Sequence, residues 1–323
     1  MATSEFEENL KIRAELQKQI EQDAPEIHAA KYQPSFGAKK VKIHGQTFIY
    51  RPLYFDLFGH KHWELAETED GQIVMYCLSN EMPNGVNFGG MIAVHEDYRG
   101  LRLTSRLQQA FWWVRGVPFA GSETSYSMER YGESFQCFGP KMLTFTGQVR
   151  HAAIENMKSH LKSTVNITTQ VLTPGHLPLL MTYDRSIIGF DRQHFWPRYL
   201  FERDPETNDP MAVGMIALNP QGTKCIGFAV ARNFVRYRCV SPIYADSDAI
   251  ALGLFAELLL NLPDQVSMEI PILSDRNSLV RECFKLGYKQ GDPEIRVHNL
   301  AYKPYHDSIP LEKVYCVQEF YSV

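Results

Sequence analysis

The stretch GGMIAVHEDYRGLRLTSRL, residues 89–107, carries the pattern that decides the fold. The apolar run Gly89–Val94 predicts a strand, which leads through a basic turn around Arg99 and Arg102 into an amphipathic helix. A helix N-terminus offers unpaired backbone N–H groups and a partial positive charge. A strand, a basic turn and a helix in this order predict a phosphate-binding turn, with a solvated surface turn as the alternative.

Composition narrows the class of protein. A chain of 323 residues with 44% hydrophobic and 22% charged residues is typical of a globular protein, and its length favours two domains over one large α/β unit. The net charge of −4 provides no broad basic surface, so we expect no nucleic-acid partner. The six cysteines form no CxxC pair, which favours reduced and mostly buried thiols.

No membrane segment is expected. The N-terminus is charged, unlike a signal peptide, and the most apolar run, Ala249–Leu262, contains Glu257 and is too short to cross a bilayer. This run predicts a core helix. We expect a cytoplasmic protein that does not bind membranes.

The first half of the chain alternates between strand and helix patterns. Residues 4–22 predict a helix, and a connector follows it. The next predicted elements are a strand pair at 41–53, a helix at 57–67, strands at 71–79 and 87–94, a helix at 103–115, a strand around 117–121 and a helix at 125–135.

A similar order returns after about residue 160. The predicted elements are a strand at 165–172, a helix opened by Thr173 and Pro174, strands at 211–218, 224–233 and 237–245, a helix at 247–261, a strand at 266–273, a helix at 277–288, and strands at 294–302 and 313–323. We therefore predict an α/β fold of α+β type, in which two copies of one unit each form a mixed sheet flanked by helices. The predicted domains are a helical arm (1–35), a first unit (36–158) and a second unit (159–323).

These residues resemble the GNAT superfamily of acyl-CoA N-acyltransferases in its tandem form. The superfamily motif Q/R-x-x-G-x-G/A corresponds here to Arg99-Gly100-Leu101-Arg102-Leu103-Thr104, in which Arg102 and Thr104 stand where glycines are expected. The second half carries the resemblance in YDRSIIGFDRQHFWPRYL and in MEIPILSDRNSLVRECFKLGY. The resemblance covers about residues 40–323.

The resemblance implies an acetyl-CoA site in the first unit. The backbone of Ile92, Ala93 and Val94 would bind the pantetheine and stabilise the oxyanion, and the turn Arg99–Thr104 would hold the pyrophosphate. Arg102 would either add a charged contact to the phosphates or block the turn.

In the second unit, Asp246 and Asp248 stand at the start of helix 247–261. We expect these acids to cap the helix and to repel phosphate. The second unit would then be structural and would complete the acceptor pocket. The segment Tyr183–Arg192 would either hold the two units together or line that pocket.

Two side chains are candidates for proton transfer. Glu123 would act as the base, directly or through water, with an ordinary solvated carboxylate as the alternative. The resemblance implies a tyrosine acid on the next helix, which is Tyr131 in one register, whereas the other register places Met128 there. Cys283 occupies the comparable place in the second unit. The HKH segment of His60 and His62 does not predict a metal site, because alternate helical residues point apart.

We predict that the protein is an enzyme, an acetyl-CoA-dependent N-acetyltransferase. Its acceptor would be an amine-bearing small molecule or peptide, and no metal is expected. The alternative is a catalytically silent GNAT-like binding or scaffold protein, favoured by Arg102 at a glycine position.

Overall fold

The computed structural model describes the second half of the chain almost continuously and the first half mainly through its strands. The described residues are 137–161, 168–204, 207–233, 237–298 and 303–317, strands 29–30, 40–43, 46–49, 63–67, 73–81, 87–94 and 119–124, and residues 85, 95 and 98. The predicted helices 4–22, 103–115 and 125–135 lie outside them.

Most of the described strands form one long mixed sheet. In spatial order these are β1 (Ala29–Ala30), β4 (Trp63–Glu67), β5 (Ile73–Glu81), β6 (Asn87–Val94), β7 (Phe119–Thr124), β15 (Glu294–His298), β8 (Cys137–Gln148), β13 (Ser267–Leu273), β16 (Val314–Cys316), β12 (Arg238–Ala245), β11 (Cys225–Asn233), β10 (Ala212–Leu218) and β9 (Thr168–Val171). The short β14 (Lys289–Gln290) also pairs with β8, and β2 (Lys40–Ile43) and β3 (Gln46–Ile49) form a separate hairpin.

Helices cover this sheet in the described part of the chain. They are α1 (His151–Leu161), α2 (Leu177–Ile188), α3 (Phe195–Phe201), α4 (Asp248–Leu260), α5 (Asn277–Lys285) and α6 (Lys303–Ser308). The start predicted at Thr173 and Pro174 is confirmed as a 3-10 turn that leads into α2. The Thr173 backbone N–H donates to His176 Nδ1 at 3.2 Å, which satisfies one backbone donor at this end.

The two halves of the chain repeat one strand order. In the first half β4, β5 and β6 are antiparallel neighbours and β7 runs parallel to β6. In the second half β10, β11 and β12 are antiparallel neighbours and β13 runs parallel to β12. The mixed α/β architecture predicted from the sequence is therefore confirmed.

The halves also exchange strands. β15, from the second half, lies between β7 and β8, and β8, from the first half, lies between β15 and β13. The ladder between β8 and β13 is longer than the ladder between β8 and β15, and it runs in register from Ser267↔Gln148 to Leu273↔Met142. Each half of the sheet is thus completed by a strand of the other.

The apolar core lies on both faces of the second half of the sheet. Because successive strand residues point to opposite faces, Phe228 and Val230 pack in the cluster formed with α2 and α3, whereas Ala229 and Ala231 pack in the cluster formed with α1 and α4. Helix α4 is apolar on all sides and has eight buried residues, as its sequence predicts for a core helix.

Several local predictions differ from the structure, and helices α3 and α6 are absent from the predicted elements. Residues 63–67, predicted as the end of a helix, form β4, since Trp63 and Leu65 alternate with charged or small residues and Trp63 pairs with Leu78. Strand β8 was not predicted, because Gly139 and Pro140 indicate a turn.

Helix α1 was not predicted either. It spans residue 158, where the sequence analysis sets the domain boundary, and its Ile154 and Met157 pack in the same cluster as α4.

Candidate functional site

The first candidate site is a gap between two parallel strands. β6 and β7 pair at Asn87↔Phe119, Phe88↔Ala120 and Gly89↔Gly121, and in the described parts of the two strands the pairing ends there. Both strands continue and keep their outer partners, β5 and β15. The backbone edges of Gly90–Val94 and Ser122–Thr124 therefore face a gap, which we call the N-terminal slot.

A β-bulge stands where the slot begins. Leu78 pairs with Gly90 and Cys77 with Ile92, so Met91 is an extra residue in β6, two positions beyond the last pair with β7. A bulge bends its strand and increases the local twist. The sequence signal for this bend is the glycine pair Gly89–Gly90, although the bulge itself is not among the predicted features.

The structure brings several predicted site residues to the N-terminal slot. Ile92, Ala93 and Val94 lie on β6 beyond the bulge and pair with β5 on the side away from the slot. Glu123 lies on β7, across the slot, and pairs with Ile295 on its outer side. The sequence had placed Glu123 after its strand, but β7 extends to Thr124 and includes it.

The chain leaves β6 through a tight turn. The His95 N–H donates to the Val74 carbonyl at 2.7 Å, and the Tyr98 N–H donates to the His95 carbonyl at 3.0 Å. The two rings meet edge to face at 5.9 Å between centroids. The remaining predicted site residues lie outside the described residues: Arg99, Gly100, Leu101, Arg102, Leu103, Thr104 and Tyr131, with the alternative Met128.

The second half contains a gap built in the same way. β12 and β13 pair only at Arg238↔Met268 and Cys239↔Glu269. A register shift against β11 follows in β12 between Val240 and Ile243, close to the last pair, as in β6. We call the gap between the ends of β12 and β13 the C-terminal slot.

The C-terminal slot is filled by the chain itself. Strand β16 enters it, and Cys316 pairs with Ile243 on one side and Ile272 on the other. Val314 and Cys316 are completely buried. The Arg276 guanidinium fixes this segment, donating from Nε to the Val314 carbonyl at 2.8 Å.

Acidic side chains occupy the N-terminus of α4 beside the C-terminal slot. Asp246 accepts a hydrogen bond from the Tyr183 hydroxyl at 3.0 Å and pairs with Lys313 at 2.9 Å. Asp248 accepts from the Tyr315 hydroxyl at 2.6 Å. The predicted cap is corrected in one detail, because the side chain that caps the helix is Ser247, whose Oγ accepts from the Ile250 N–H at 3.4 Å.

Two tyrosines are held as hydrogen-bond donors to these acids. Burial, with the Asp246 charge, raises the pKa of Tyr183, and burial, with the hydrogen bond to Asp248, raises the pKa of Tyr315. Both hydroxyls therefore stay protonated at neutral pH. The carboxylates they hold carry negative charge where a phosphate would need positive charge.

Cys283 occupies the position in the second unit that is comparable to the predicted acid Tyr131. A substrate cannot reach this cysteine. Its side chain is completely buried in the core, and burial raises the pKa of its thiol. Cys225, Cys239 and Cys316 are likewise free and buried, which confirms the predicted thiol state for the four cysteines whose side chains are described.

The segment Tyr183–Arg192 comprises the C-terminal half of α2 and part of the loop that leads to α3. The buried Arg192 donates to Asp184 from Nε at 2.9 Å, and the Trp196 indole donates to the same carboxylate at 2.8 Å. Arg185 and Asp191 form a second, exposed ion pair. All these contacts lie within the second half, so the part of this segment described here fixes a helical corner of that half.

Residues 180–299 match the family model described as Acetyltransferase (GNAT) domain. The match begins in α2 and includes β10 to β13, α4, α5 and β15, so it covers the C-terminal slot. A GNAT acetyltransferase domain in the second half of the chain follows from this match. No curated protein matches the sequence.

Two solved structures with TM-scores above 0.5 share the fold. A protein from Pyrococcus horikoshii, described as a candidate acetyltransferase, aligns over 82% of this chain and 81% of its own with 13% identity and a TM-score of 0.57. A GCN5-related glucosamine N-acetyltransferase region of a fungal β-N-acetylglucosaminidase aligns over 79% of this chain and 35% of its own, with 11% identity and a TM-score of 0.52. A tandem GNAT protein from the clavulanic acid pathway aligns over 73% and 82%, with 11% identity and a TM-score of 0.48.

Within the described part of the chain, no helix is long and apolar enough to cross a membrane. The same residues contain no group of three or more histidine, cysteine or acidic side chains arranged to hold a metal ion. His60 and His62 lie outside the described residues.

Proposed function

We propose that the protein is an acetyl-CoA-dependent N-acetyltransferase that binds its acyl-CoA in the N-terminal slot. The observation that carries the proposal is the contrast between two gaps of the same construction. β16 fills the C-terminal slot, whereas no described strand pairs with the facing edges of Gly90–Val94 and Ser122–Thr124. An extended pantetheine arm can pair with such an edge as an added strand does.

The acceptor amine would attack the thioester carbonyl beside these strands. Glu123 would take the proton from the amine, directly or through water, and a backbone N–H of Ile92–Val94 would stabilise the oxyanion. The carbon–sulfur bond then breaks, and Tyr131 would return a proton to the CoA thiolate. The acceptor is a small amine or a peptide.

The second half would support this site without binding acyl-CoA. Its filled slot and the anionic side chains at the start of α4 favour a structural role, and the repeated strand order supports a tandem arrangement of units 36–158 and 159–323 preceded by the arm 1–35. A cytoplasmic location and the absence of nucleic-acid, membrane and metal partners remain predictions from composition and pattern.

The test is acetyl-CoA binding by calorimetry in matched variants of the two helix starts. Arg102→Ala should weaken binding by about 1.5–3 kcal/mol, the range for a hydrogen bond to a charged group. Asp246→Asn, at the equivalent turn of the second half, should leave the affinity unchanged. The opposite pattern, with thermal unfolding of both variants unchanged, would assign the cofactor to the second half.

Turnover separates the enzyme from the silent binding protein. Release of free CoA in the presence of a panel of amines is expected from an N-acetyltransferase. Acetyl-CoA binding without CoA release for any amine would favour the binding protein.

A further inference from the structure

A cavity lies beside the closed end of the C-terminal slot, where β12 and β13 still pair. Its volume is about 520 Å³, within the range of small-molecule sites. Glu269, in its wall, is the last residue of β13 that pairs with β12, so the cavity begins where these strands separate. It is distinct from the N-terminal slot, because β15 and β8 lie between β7 and β13.

One part of the wall favours a negative group. Arg150 and Lys289 line the cavity with exposed cationic side chains. Tyr288 also lines the cavity and is only 5% exposed, but its hydroxyl is buried away from water. The two cationic side chains are therefore the groups in this part of the wall that an anion can reach.

Another part of the wall favours a positive group. Glu269 is half-buried, and burial, with the nearby charge of Glu294, raises the pKa of its carboxyl. A hydrogen bond from the Tyr237 side chain partly offsets that effect. A ligand cation would relieve both the desolvation of this carboxylate and its repulsion from Glu294.

The wall is rigid where the two parts meet. A Cβ atom added at Gly147 would stand 2.1 Å from Tyr288 Cδ1, so the tyrosine ring lies directly on the backbone of β8. The Tyr288 N–H donates to the Cys283 carbonyl at 3.0 Å, and the next residue, Lys289, pairs with Thr146. Met268 and Leu286 add apolar lining.

We propose that this cavity binds a free amino acid with an apolar side chain. Arg150 and Lys289 would hold the carboxylate, Glu269 the ammonium group, and Met268 and Leu286 the side chain. This site stands independently of acyl-CoA binding in the N-terminal slot.

Calorimetry of the full chain without acetyl-CoA tests the proposal with three matched probes. L-leucine carries both charges, N-acetyl-L-leucine lacks the ammonium group, and L-leucinamide lacks the carboxylate. L-leucine is expected to bind at least about tenfold more tightly than either derivative, a difference near 1.4 kcal/mol.

Variants assign the two charges to the two parts of the wall. Arg150→Gln and Lys289→Gln should each weaken L-leucine binding while leaving leucinamide binding unchanged. Glu269→Gln should weaken L-leucine binding while leaving N-acetyl-L-leucine unchanged. Arg281→Gln, an exposed arginine of α5 outside the cavity, is the matched control and should change nothing.

Two results would overturn the proposal: no L-leucine binding at millimolar concentration, or equal affinity for all three probes. Thermal unfolding of each variant shows whether a lost affinity reflects the site or the fold. Because acetyl-CoA is titrated separately, failure here leaves the proposed acetyltransferase activity untouched, and the reverse also holds.

Discussion

Single residues in the second half differ sharply in what their charges contribute. Asp184 and Arg192 form an ion pair in which both side chains are 1% exposed, whereas Arg185 and Asp191, in the same helical corner, are 58% and 36% exposed. A buried pair keeps its full electrostatic strength but leaves a costly charge behind when one partner is removed. An exposed pair is screened by water and salt.

We therefore expect opposite outcomes from two similar substitutions. Asp184→Asn should lower the free energy of unfolding by about 3–5 kcal/mol, because Arg192 stays buried without its counter-ion. Asp191→Asn should cost about 0–1 kcal/mol. Urea denaturation followed by circular dichroism measures both, and equal losses would show that burial does not govern the Asp184 pair.

At the scale of elements, two glycines sit in opposite environments. Gly147 lies on β8 under the ring of Tyr288, whereas a Cβ atom at Gly253, in the middle of α4, would meet no heavy atom within 4 Å. Position 147 therefore has no room for a side chain. At position 253 there is room, and glycine only destabilises the helix through its backbone entropy.

The same change at these two sites should move stability in opposite directions. Gly147→Ala should destabilise the protein by about 1–3 kcal/mol through overpacking against Tyr288. Gly253→Ala should stabilise it by about 0.5–1 kcal/mol, because alanine loses less backbone entropy in a helix. Thermal unfolding reports both signs, and a stabilised Gly147→Ala protein would contradict the contact with Tyr288.

Patterns along the chain predicted the elements whose signals are local. The hairpin of β10 and β11 follows from two short apolar runs separated by a polar turn, and α4 follows from one long apolar run. Strand β8 was not predicted for two reasons. Gly139–Pro140 is a sequence typical of a turn, and the partner strands β13 and β15 come more than a hundred residues later in the chain. The Asp246 and Asp248 prediction located an anionic helix start but missed Ser247 as its cap.

For the candidate site, Ile92–Val94 and Glu123 lie on the two strands that border the N-terminal slot, and their roles there remain predictions. The sequence could not predict the filling of the C-terminal slot. That contact joins Cys316 to Ile243 and Ile272, which no local pattern encodes.

At the scale of the whole molecule, the strand exchange makes the two halves interdependent. β13 has β8 as its neighbour, and Phe145 of β8 is completely buried in the same cluster as α4. A second half without β8 would expose this cluster to water, at a cost of about 25 cal/mol for each Å² of apolar surface.

Chains divided between α1 and β9 test this dependence. We expect the fragment that begins at β9 to be unfolded or aggregated alone, and co-expression with the first fragment to restore a complex of full size. Size-exclusion chromatography and circular dichroism measure both. A monomeric second fragment with cooperative unfolding would show that β8 is dispensable.

The continuous sheet also restricts how the molecule can move. Separating the two sequence halves would break three ladders together, those of β15 with β7, of β15 with β8 and of β8 with β13. We therefore expect no clamshell opening along this division, the way many two-lobed proteins admit their ligands. We expect ligands to enter at the ends of the strands instead, while the central ladders stay intact.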